Sequence, residues 1–127
     1  MDSKLYLTIS AIVLLLYGIG FLAIPAPLAT LYGVPPEPHV LMVDRFFGSV
    51  LLALGVITWL ARDFTDWAAI RGVVIGNVVG YALSTLVLIW STVAGLLNGL
   101  GWGSTIVNVV LALWALYVLS AGARKLA

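Results

Sequence analysis

The stretch VLMVDRFFGSVLLALGVITWLA, residues 40–61, decides the fold. It is apolar for long enough to cross a bilayer, which takes about 20 residues. Yet Asp44 and Arg45 stand inside its first turns. At about 1.5 Å of rise per residue, the pair lies about 6–8 Å below the level of residue 40. A charge at the centre of a membrane helix costs about 2.5–3.5 kcal/mol on insertion, and less near an edge. Gly48, Gly55 and Thr58 follow Asp44 at helical spacing. That small, polar side is expected to face other helices, while Leu, Val and Phe face lipid. Two readings of the charges stay open. Arg45 bends its stem toward the surface and pairs with Asp44 or Glu37 as an anchor, or the two line a small polar pocket open to one side.

Composition supports the same environment. Of 127 residues, 63% are hydrophobic and only 9% charged, with a mean hydropathy of +1.17. Soluble domains carry about 25% charge. The apolar runs are continuous and do not alternate with period two, which argues for helices and against a barrel. With no cysteine there is no disulfide, thiolate metal site or cysteine nucleophile. A net charge of +1 without a basic stripe argues against nucleic acid as a partner.

Four spans follow, at about residues 5–24, 40–61, 68–93 and 104–121, in a single domain. The first apolar run is longer than the 7–15 residues usual for a signal-peptide core. Pro25 to Gly33 reads as a short interfacial helix, proline suiting its first turn and Gly33 its end. VPPEPH, residues 34–39, reads as an extended, stiff loop because three prolines remove donors and restrict their neighbours. The glycine-rich residues 95–103 read as a loop at the opposite end of the third span. Lys4, Arg62, Arg71, Arg124 and Lys125 fall on one side, whereas residues 25–39 and 95–103 carry no Lys or Arg. The expectation is an all-α integral membrane protein, an up-down-up-down bundle of four transmembrane helices with both termini cytoplasmic.

Gly72, Gly76, Gly80 and Ser84 recur every fourth residue, a ridge that admits the backbone of another helix. It fits packing inside the bundle, or contact with a second copy or a larger membrane protein. Polar residues fall into two layers. Ser10, Thr58, Asn77, Tyr81 and Tyr117 lie toward the cytoplasmic side, where interhelical hydrogen bonding is the expected role. Asp44, Arg45, Ser91, Thr92 and Asn108 lie toward the other side, with Glu37 and His39 just above. Asp44, Arg45, Glu37, His39 and Asn108 are the candidate ligand-binding set. His39, the one histidine, makes a poor metal or porphyrin site by itself. No metal site or cofactor is expected.

Catalytic signatures are absent: no Gly-x-Ser-x-Gly elbow, no phosphate loop and no His-Glu-x-x-His. An enzyme would need Glu37, His39 and Asp44 within a few ångströms of one another.

The runs GIGFLAIPAPLATLYGVPPEPH, residues 18–39, and DRFFGSVLLALGVITWLAR, residues 44–62, resemble a family of small bacterial four-helix membrane proteins of unknown function. The shared features are a first span ending in proline, a Leu-Tyr-Gly-Val surface segment, and a second span carrying Arg45, Gly48, Leu52 and Gly55. The resemblance implies a fold in the bacterial inner membrane and no chemistry. The expected role is therefore non-catalytic: an accessory or assembly subunit of a membrane complex, or a homo-oligomer, in contact with membrane lipids. The alternative is a binder or transporter of a small or lipid-like ligand at Asp44 and Arg45.

Overall fold

A computed structural model describes the backbone of residues 2–126 and the side chains of residues 3–124. Lys125 lies outside the described side chains. The elements are α1 (Asp2–Ala23), α2 (Pro25–Leu31), α3 (Pro38–Ala61), α4 (Trp67–Val93) and α5 (Leu100–Leu126). No strand occurs among the described residues. The four longer helices are each long and apolar enough to cross a membrane.

All five prolines lie between residues 25 and 38, so no long helix is broken in its interior. Pro25 occupies the first turn of α2. Gly33, with φ +77°, ends it: Gly33 N–H donates to Thr30 O and Val34 N–H to Ala29 O, a Schellman closure. Gly95, with φ +78°, closes α4 through the equivalent bonds to Thr92 O and Ser91 O. Asp66 caps the start of α4 by accepting from Ala68 N–H at 3.3 Å.

Two boundaries correct the sequence expectation. Helix α3 begins at Pro38, so His39 is helical. A proline in the first turn lacks only a donor that has no helical partner there anyway. Helix α5 begins at Leu100, inside the stretch read as a loop. Asn98 Oδ1 accepts from Leu100 N–H at 3.0 Å, which offsets the poor propensity of Gly101 and Gly103.

The bundle is two helix pairs. α1 packs along α3 and α4 along α5, with smaller contacts of α1 to α5 and of α3 to α4. Glycine sets the first pairing. A Cβ on Gly48 would lie 2.6 Å from Leu22 N and 2.8 Å from Gly18 O. One on Gly18 would lie 2.9 Å from Leu52 N, and one on Gly55 2.9 Å from Leu15. The backbones of α1 and α3 therefore nearly touch. Residues 15, 18 and 22 meet 55, 52 and 48 in reverse order, so the two helices run antiparallel. The core comprises Tyr6, Leu7 and Leu14 of α1, Ala61 of α3, Ile70, Val74 and Tyr81 of α4, and Leu111, Ala115 and Val118 of α5.

Gly48→Ala is expected to lower stability by about 1–3 kcal/mol, because the new methyl meets backbone that cannot rotate away. Gly76→Ala, whose methyl meets nothing within 4 Å, is expected to be neutral or stabilising by up to about 1 kcal/mol. Thermal unfolding in detergent compares the two, and equal losses would contradict the close approach.

Candidate functional site

Asn77 is fully buried where α1, α3 and α4 meet. Its Nδ2 donates to Tyr6 Oη at 3.3 Å and reaches Ser10 Oγ at 3.5 Å. Its Oδ1 lies 3.3 Å from Thr58 Oγ1, a hydroxyl that also donates to Leu54 O at 2.8 Å. Ser10 and Tyr81 hydrogen-bond one another. Tyr6 then meets the Trp114 ring of α5 edge-on, with centroids 5.5 Å apart. Five polar side chains thus satisfy one another in a site with no exposed polar face. Such a hub fixes the rotation of each helix; it offers no open surface for a substrate. Of the layer read from sequence, Ser10, Thr58, Asn77 and Tyr81 come together, whereas Tyr117 is exposed on α5.

A second polar seam crosses the end of the bundle that holds α2. Ser104 Oγ bonds to Tyr32 Oη and lies 3.5 Å from Tyr17 Oη. Asn98 Nδ2 donates to Leu31 O at 2.8 Å, and Asn98 N–H to Tyr32 O at 2.9 Å. Burial pushes the Tyr32 hydroxyl above its ordinary pKa, against the lowering effect of the Ser104 contact, so the group keeps its proton at neutral pH.

Among the described residues, no hydrogen bond or ion pair links the side chains singled out as a ligand-binding set. Arg45 Nε donates to Leu22 O at 3.4 Å, and its side chain is otherwise exposed. Asp44 is half-buried on α3, and Glu37 and His39 are exposed at the start of that helix. Asn108 Nδ2 donates within α5 to Ser104 O at 2.9 Å. The ion pairs among the described residues are Lys4–Asp63 at 3.8 Å and Arg62–Asp63 at 4.0 Å, both at the other end of α3. Arg45 thus pairs with neither Asp44 nor Glu37. Near Asp63, the Arg62 guanidinium lies 4.0 Å over the Trp59 ring. A shallow depression of about 340 Å³ there is lined by Asp63, Phe64, Thr65, Asp66 and Ala69. No group of three His, Asp or Glu side chains suited to a metal ion occurs among the described residues.

The glycines divide sharply. Gly48 and Gly55 are buried against α1. Gly72, Gly76 and Gly80 would carry a Cβ with nothing within 4 Å, so their ridge faces away from the other helices of the chain. Ser84, next along it, is half-buried.

Residues 2–120 match a family described as a domain of unknown function, DUF8292. The chain belongs to this family. No curated protein and no solved structure matches it. Tyr6, Tyr17, Tyr32, Asn98 and Ser104 are polar partners that sequence reasoning passed over. Tyr6 and Ser10 share the four-residue spacing of Asn77 and Tyr81, a signal that could have found the first of them.

Asn77→Leu, similar in branching though bulkier, strands the Tyr6 hydroxyl and is expected to cost about 1–3 kcal/mol. Tyr117→Phe is expected to cost nothing measurable. Unfolding of both variants in detergent checks this, and an unchanged Asn77→Leu protein would contradict the hub.

Proposed function

We propose that this DUF8292 member is a bacterial inner-membrane protein that acts by association. In this reading four helices cross the bilayer up-down-up-down, with both termini cytoplasmic. The protein serves as a non-catalytic accessory or assembly subunit of a membrane complex, or as a homo-oligomer. The observation that carries the reading is the open ridge of Gly72, Gly76 and Gly80. Large apolar side chains continue its face, with Leu83 and Trp90 both exposed. A bare backbone stripe gives lipid little to pack against, whereas a second helix gains van der Waals contact along it. Orientation follows from Lys4, Arg62, Arg71 and Arg124 against the Lys- and Arg-free connections at the other end.

A second reading draws on Arg45. Its guanidinium makes one long bond to the protein and keeps further donors for an anionic headgroup or carboxylate. Asp44 beside it would set the preference among ligands.

Gly76→Leu is expected to abolish co-purification or self-association in mild detergent while leaving the unfolding temperature unchanged. A wild-type protein that is monomeric and without partners would overturn the association reading. Arg45→Gln is expected to remove retained anionic lipid, read by native mass spectrometry, and equal retention would dismiss the second reading.

A further inference from the structure

The segment from Pro25 to Glu37 is tied down differently from the rest of the chain. It leaves α1 at Ile24, whose φ of −132° and ψ of 56° are non-helical, and enters α3 at Glu37, which is extended. Between these joints, α2 is stiffened by its Schellman end and by Pro35 and Pro36. Its polar ties to the α4–α5 pair are few: exposed Asn98 bonds Leu31 O and Tyr32 O, and half-buried Tyr32 bonds buried Ser104. The hub at the other end, by contrast, has Ser10, Thr58 and Asn77 at 0% exposure. The segment's inner side carries buried Pro25 and Ala29, and beside Ser104 lie the half-buried Tyr17 and Asn108.

We propose that residues 25–37 are a strap that covers and uncovers the polar seam where Tyr17 of α1 meets Ser104 of α5, held shut by Asn98 and Ser104. Exposed hydrogen bonds such as those of Asn98 open first in a folded protein, which leaves the single Tyr32–Ser104 bond as the remaining polar tie. The two joints let the strap move as a unit while the hub keeps the bundle together. Opening uncovers Tyr17, Ser104 and Asn108, a row of donors and acceptors reachable from one membrane face. This inference does not depend on the association reading.

The chain has no cysteine, so a single introduced thiol reports on its own site. Ala29→Cys probes the underside of the strap and Ala115→Cys the core, in the full-length protein in detergent with N-ethylmaleimide. Ala29→Cys is expected to label slowly, and about tenfold faster with Asn98→Ala or with Ser104→Ala, each of which removes a tie worth a modest net hydrogen bond. Ala115→Cys is expected to stay unlabelled throughout. An inert Ala29→Cys, a rate indifferent to both clamp variants, or a parallel rise at Ala115→Cys would each overturn the strap.

Discussion

Apolar side chains face outward on every long helix, and this sets the terms for the rest of the structure. Leu16 of α1, Phe46 of α3, Leu86 of α4 and Ile106 of α5 are each about two-thirds exposed. Monomeric proteins in water rarely carry contiguous apolar patches beyond a few hundred Å². With lipid as solvent the same surface is at ease. The hydrophobic effect then gives helices little reason to associate, so packing and polar contacts must do so.

The α1–α3 pair and the contacts between the pairs meet this demand differently. Between α1 and α3 the solution is steric. Gly18, Gly48 and Gly55 remove side chains where the axes cross, and dispersion contacts accumulate along bare backbone. Between the pairs the solution is polar. Asn77 joins Tyr6, Ser10 and Thr58 at one end, and Ser104 joins Tyr32 and lies near Tyr17 at the other. Away from water, a stranded donor costs more than its bond contributes, so each network selects one arrangement of the helices. The ridge on α4 repeats the steric device with no partner inside the chain.

The four long apolar helices and the short helix between the first two were legible because continuous apolarity and clustered prolines act locally. So was the buried side of α3: Gly48, Gly55 and Thr58 follow from helical spacing alone. Helix starts were misread where a side chain overrode composition. Asn98 capping brings Gly101 into α5, and the first-turn tolerance of proline brings His39 into α3. Side-chain grouping was only partly legible. Asn77 and Tyr81 share a face by spacing, but their partner Tyr6 lies on another helix. Depth alone suggested that Asn108 sits with Asp44 and Arg45. Its amide instead donates to Ser104 O one turn back in the same helix, an i→i−4 bond that depth does not reveal. Likewise, the spacing of the Gly72 ridge announces close contact without saying which helix provides it.

The claim on which everything rests is that lipid solvates the outer faces of these four helices, with both chain ends on the cytoplasmic side. The direct measurement is fractionation of cells expressing the chain with a reporter at either end, followed by protease treatment of intact spheroplasts. Expected is recovery in the membrane fraction after alkaline washing, with both reporters protected until the membrane is broken. Recovery in the soluble fraction without detergent, or cleavage of one reporter alone in intact spheroplasts, would contradict it.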